Sequence, residues 1–218
     1  MGAMTALTDR CFSGVIFDMD GTLIDSTPAV VRSWTRWAEE YEIPEEKFGD
    51  FHGMPARSIV AKLMPPELHE ESLARVTQLE LDDVEGIVAL PGAVEALATL
   101  PVTAIATSCT RDLAERRIAA SGIPAPDVVV TASDVTHGKP DPEPFLLAAE
   151  RLGIDPRRAL VVEDATSGIR AGQAAGASTL AVVTTTQRDA LAFADLVVDD
   201  LSAVSWHVSD EGVSLSLR

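Results

Sequence analysis

Lysine is nearly absent from this chain. Of its 17 basic residues only Lys47, Lys62 and Lys139 are lysines, and the rest are arginines. Cysteine is scarcer still: Cys11 and Cys109 give no disulfide framework and fit a reducing compartment. No run of 18 apolar residues occurs, so no membrane-spanning helix is expected. The first residues lack a basic and then apolar leader, and the expected location is the cytoplasm. Basic blocks are missing as well. With 34 acidic residues against 17 basic ones the net charge is −17, which argues against nucleic acid and anionic membranes as partners. An acidic chain can still bind a small phosphorylated molecule, but only through a local cationic site. There is no internal repeat and no low-complexity linker. The 218 residues suffice for one large domain or a domain with an insert, expected as a monomer or small homo-oligomer.

What is present is alternation. Short apolar runs at Gly14–Phe17, Val102–Ala106, Asp127–Thr131, Leu160–Val162, Thr179–Val183 and Asp195–Val198 read as strands. Helical stretches lie between the later ones, at Thr110–Ser121, Pro142–Leu152 and Ser167–Ala175. This βαβ order predicts an α/β fold, a Rossmann-like three-layer core with a parallel sheet covered on both faces. The closing stretch SWHVSDEGVSLSLR reads as a hairpin turning at Asp210-Glu211-Gly212. Residues 26–88 differ. Pro28 suits a first helical turn, and Val30, Trp34, Trp37 and Tyr41 then share one face. Further helices fit Pro55–Met64 and Pro66–Val84, broken at Pro65-Pro66. The expected organisation is a core of residues 1–25 and 89–218 with an inserted all-helical cap over 26–88.

The stretch VIFDMDGTLIDS (Val15 to Ser26) ends an apolar run in Asp18 and Asp20. Alternate side chains of a strand point the same way, so both carboxylates are expected to converge near its end, where they repel. In an open parallel sheet ligands bind beyond the carboxyl ends of the strands. The other runs end in Thr107 and Ser108, in TASDVTHGKPDP with Lys139, and in Glu163 and Asp164. Taken singly, Ser108 or Thr110 is a helix cap, Lys139 a solvated loop residue, and Asp164 the opening of a turn. Together they form a set suited to phosphoryl transfer. Asp18, the Asp20 backbone carbonyl and Asp164 make a hard oxygen site for Mg²⁺, which would offset the carboxylate repulsion. Asp18 would attack phosphorus to form an aspartyl-phosphate. Thr107 or Ser108, helix-start N–H groups and Lys139 would hold the phosphate oxygens. Asp20 would give a proton to the leaving group and later take one from water.

DMDGTLIDS, ATS, GKPDP and VVEDATSGIRAG resemble, in order, the four sequence motifs of the haloacid dehalogenase superfamily. The resemblance covers nearly the whole chain. It implies the Rossmann-like core, the helical cap and Mg²⁺-dependent catalysis with Asp18 as nucleophile and Asp20 as general acid/base. It further implies Thr107, Ser108 and Lys139 as phosphate ligands, Asp164 as metal ligand and Glu163 as an aid to the metal. HGMPARSIVAKLMP (His52 to Pro65) is similar to the cap loop of the branch holding sugar- and polyol-phosphate phosphatases. That makes Arg57 the cap's substrate contact, with a surface arginine as the plainer alternative, while His52 reads as a loop residue. The expected function is a Mg²⁺-dependent phosphatase for a small sugar or polyol phosphate. A β-phosphoglucomutase shares these motifs but commonly has valine after Asp-Gly, where this chain has Thr22. A dehalogenase would have no use for Asp20 or Mg²⁺. A phosphonate hydrolase would need a cap lysine, and neither Lys47 nor Lys62 has the context. A non-catalytic regulatory protein would be free to lose Asp18, Asp20, Lys139 or Asp164, and all four are present.

Overall fold

The fold described here is a computed structural model covering residues 6–47 and 56–218. The chain enters through β1 (Gly14–Phe17), turns, and forms the two-residue β2 (Ile24–Asp25). Helices α1 (Thr27–Glu40), α2 (Ala56–Leu63) and α3 (His69–Asp82) follow, and β3 (Val88–Ala89) returns alongside β2 in antiparallel pairing. Then come α4 (Ala93–Thr99), β4 (Thr103–Ala106), α5 (Arg111–Ser121), β5 (Val128–Val130), α6 (Glu143–Leu152) and β6 (Ala159–Glu163). The last elements are α7 (Thr166–Ala174), β7 (Ser178–Val182), α8 (Arg188–Leu191), β8 (Leu196–Val198) and the hairpin β9 (Val204–Ser209) with β10 (Gly212–Leu217).

Six parallel strands form one sheet in the order β5-β4-β1-β6-β7-β8. It is a Rossmann-like α/β fold. The central strands read as unbroken apolar runs because both their faces are covered. Val15 and Phe17 of β1, with Leu160, Val162 and Leu180, pack against α4, α5 and the terminal hairpin. Phe17 meets Trp206 of that hairpin edge to face, ring centroids 6.3 Å apart. Ile16, Ala104 and Val161 face the other way, onto Phe145, Ala148 and Ala149 of α6 and Ala171 of α7.

The three inserted helices have an apolar core of their own. The aromatic stripe of α1 faces Ile59 and Val60 of α2 and Val76 and Leu79 of α3. Trp34 and Trp37 meet edge to face at 5.3 Å, and the Trp37 indole donates to the Ser72 hydroxyl at 3.0 Å. One expected element differs in detail, and one expectation is not reached by the described residues. The stretch from Pro66 begins as a 3₁₀ turn (Pro66–Leu68) before α3, and the segment holding His52 lies outside the described residues.

Candidate active site

The sheet order reverses between β1 and β6: the chain runs outward through β4 and β5 and returns on the other side of β1. A crevice at the carboxyl ends follows from that reversal. Asp18 follows β1, Thr107 follows β4, and Glu163 and Asp164 stand at the end of β6. Lys139, on the long loop after β5, reaches into the same place. Its Nζ donates to Asp18 Oδ1 at 2.5 Å and to Glu163 Oε1 at 2.8 Å, and sits 5.0 Å from the centroid of the Phe145 ring. The Lys139–Pro140 peptide is cis.

Glu163 has a second set of partners. Its Oε2 accepts the backbone N–H groups of Asp164 and Ala165, at 2.8 and 2.7 Å, at the start of α7. Gly168 on that helix makes room, because a Cβ there would fall 1.6 Å from Glu163 Oε1. Asp164 accepts from Thr22 Oγ1 at 3.2 Å and from the Thr185 hydroxyl. Gly21 has φ +87°, and a side chain there would strike Asp164.

Three buried carboxylates thus face one ammonium. Burial, with Glu163 adding to it and Lys139 opposing it, raises the Asp18 carboxyl to about 7. Burial and the charges of Glu163 and Asp18 push Asp164 well above the usual carboxylate range. Burial disfavours the Lys139 ammonium, but Asp18 and Glu163 outweigh it and keep the lysine charged. Oxygen atoms of Asp18, Glu163 and Asp164 lie within 4.8 Å of one another. An all-oxygen, excess-negative, buried group of this kind fits a hard divalent cation.

The strand does not continue through Asp20, as its two-residue period would have it. β1 ends at Phe17, and the chain turns as Leu23 and Ile24 donate to the Met19 carbonyl. Asp20 consequently faces a different set of groups from Asp18. Its Oδ1 accepts from Ser26 Oγ at 2.6 Å and Arg117 Nη1 at 2.8 Å, and its Oδ2 accepts from the Cys109 thiol at 3.1 Å. Thr107 is buried, its hydroxyl accepting the Cys109 N–H at 3.1 Å, whereas Ser108 is exposed. Thr110 stands at the N-cap of α5 without a side-chain cap bond. Arg57 lies in the first turn of α2 and pairs with Glu70 at 2.7 Å, both side chains exposed. Cys11 and Cys109 are both free thiols.

A family model for haloacid dehalogenase-like hydrolases matches residues 15–182. The chain belongs to that family. Among the curated relatives of this hydrolase, Hexitol phosphatase A of Escherichia coli is 40% identical over 204 residues, covering 90% of this chain and 94% of the relative. Glycerol-1-phosphate phosphohydrolase 2 of Saccharomyces cerevisiae is 35% identical over 206 residues, covering 88% and 82%. A solved hydrolase of Pseudomonas syringae superposes with a TM-score of 0.76 at 30% identity, covering 87% and 94%. The hydrolase is therefore a phosphoric monoester hydrolase of this family.

Arg117, Glu80, Ser26, Cys109 and Thr185 were not expected near the site. Arg117 carried one local signal: it occupies the stripe of Leu113, Ala114 and Ile118, where an apolar residue belongs. Ser26 closes the first motif and Cys109 directly follows Ser108, but neither carries a pattern pointing to Asp20. Glu80 and Thr185 meet the site only through the tertiary fold.

Proposed function

We propose that this hydrolase cleaves a small sugar or polyol phosphomonoester with Mg²⁺, through a phosphorylated Asp18, under a cap formed by α1–α3. The observation that carries the reading is the buried group of Asp18, Glu163 and Asp164 around a single lysine. The polyol class rests on the hexitol and glycerol phosphatases among the relatives.

Asp18, Asp164 and the Asp20 backbone carbonyl would hold the Mg²⁺, with Glu163 beside them. When bound, the ion supplies charge that screens the phosphate dianion from the nucleophile. Lys139 occupies Oδ1 of Asp18, which leaves Oδ2 to attack phosphorus. The Lys139 ammonium, Thr107 and Ser108 bind the transferring phosphoryl oxygens, where charge is spread in the transition state. Glu163 aims the lysine rather than touching substrate. Asp20 protonates the departing alcohol and then deprotonates the water that hydrolyses the acyl phosphate. Arg57 sits on the cap, and contact with substrate would require it to leave Glu70.

The test is inorganic phosphate release from a panel of hexitol, glycerol, sugar and nucleoside phosphates, with Mg²⁺ or EDTA, beside Asp18→Asn protein. Release from a few polyol or sugar phosphates, lost in the variant and in EDTA, is the expected result. Release from nucleotides alone would contradict the substrate class. Silence across the panel with interconversion of β-glucose 1-phosphate would assign a mutase instead.

A further inference from the structure

Arg117 is almost wholly buried, its side chain 5% exposed, and its two terminal nitrogens serve different parts of the molecule. Nη1 donates to Asp20 Oδ1 at 2.8 Å, beside the Cys109 sulfur at 3.2 Å. Nη2 donates to Glu80 Oε1 at 3.1 Å. Glu80 belongs to α3 in the cap, and its side chain is also 10% exposed. One guanidinium thus joins the proposed acid of the core to a buried acid of the cap.

A packing role alone explains this poorly. Leu113, Ala114 and Ile118 share the buried face of α5, and an apolar residue would complete it. Arg117 instead brings a charge into that face, with its Nε lacking any partner among the described residues. A planar fork pre-organises both hydrogen bonds at once, which a lysine or an apolar side chain would not. The neighbouring Arg116 makes a useful contrast. It too fastens α3 to α5, donating to the Leu81 carbonyl at 3.0 Å, but it does not reach Asp20.

We propose that Arg117 is a positioning residue for Asp20, and that Glu80 makes this positioning depend on the cap being docked. The proposal rests on Asp20 transferring the proton to the leaving group, as proposed above. With α3 in place, Glu80 anchors Nη2 and the guanidinium holds the Asp20 carboxylate, together with Ser26, in one orientation. When α3 withdraws, the fork keeps a single anchor and Asp20 loses its aim. Proton transfer is then available only over a covered substrate.

The test compares kcat/KM for glycerol phosphate, whose alkoxide needs a proton, with that for p-nitrophenyl phosphate, whose phenolate does not. Variants are Arg117→Met, Arg117→Lys, Glu80→Gln, Arg116→Ala and Asp20→Ala, each checked for folding by a thermal melt. Asp20→Ala is expected to lose about 100-fold or more on the alkyl substrate relative to the aryl one. Arg117→Met should lose about tenfold in the same ratio, with Glu80→Gln in the same direction, Arg117→Lys partly restored, and Arg116→Ala unchanged in ratio. If Arg117→Met does not fold, Arg117→Lys and Glu80→Gln decide by the same ratio. Equal losses on both substrates, or a ratio shift in Arg116→Ala matching that of the Arg117 variants, would reduce Arg117 to a docking contact. A selective loss in Asp20→Ala with none at Arg117 or Glu80 overturns the positioning role alone. No selective loss in Asp20→Ala removes both the acid role and this proposal.

Discussion

The contact between Gly168 and Glu163 shows how little freedom the site leaves. Glu163 uses one oxygen for Lys139 and the other for two backbone N–H groups, so its carboxylate has nowhere to retreat when α7 gains a side chain. Gly168→Ala should therefore push Glu163 off Lys139. The expected cost is about 1–3 kcal/mol in a urea melt, with a fall in turnover at saturating substrate. Wild-type stability and turnover in that variant would show that Glu163 can move freely. Glycine-rich spacing in VVEDATSGIRAG was visible in the sequence. Which glycine faces which carboxylate was not, because that depends on the rotation of α7 over β6.

At the scale of an element, the loop that delivers Lys139 is held by Asp134. Its carboxylate accepts from the Thr131 N–H and hydroxyl at 2.8 and 2.6 Å, and from Arg111 and Arg151 at 2.6 and 2.9 Å. Burial opposes the charge, but these donors prevail and hold Asp134 below the usual carboxylate range. A carboxyl with a lowered folded-state pKa contributes stability above its unfolded value near 4, and loses it as pH falls through the folded one. Asp134→Asn should thus cost about 1–2 kcal/mol at pH 7, modest because both arginines are more than a third exposed. The gap from wild type should narrow on acidification below about pH 4. A gap that widens in acid would reverse the sign and sink the assignment. The elements themselves were unevenly legible. β1, β6 and β7 announced themselves as apolar runs because they are buried on both faces. The ribbon β2–β3, two residues a strand, carries no periodicity to read, and the one-turn α8 is equally silent. The aromatic stripe of α1 was legible as a buried face, and it packs as one.

For the whole molecule, topology turns distant charged residues into neighbours. Residues 121 apart meet in the Lys139–Asp18 pair, and residues 97 apart meet at Arg117 and Asp20. The first pair was foreseeable because both residues follow strand ends, where parallel sheets gather ligands. The second was not, because Arg117 lies within a helix and its partners come from a turn and from the inserted helices. If the buried acidic group holds Mg²⁺ as proposed, the stability of the whole fold should depend on the ion. Mg²⁺ at about 100 times its dissociation constant should stabilise by about 2.7 kcal/mol, raising Tm by about 5–10 °C for a chain of this size. Asp164→Asn should abolish most of that shift, and a shift of wild-type size in the variant would place the ion elsewhere.

The central claim is that Asp18 carries the phosphoryl group. Asp20→Ala protein should still be phosphorylated by p-nitrophenyl phosphate, whose leaving group needs no acid, while hydrolysis slows for want of a base. Acid quenching during turnover, followed by peptide mass mapping, reads the outcome directly. A phosphoryl group on the peptide at Asp18 is the predicted result. Phosphate release with Asp18 unmodified, or a phosphoryl group on another residue, would contradict it.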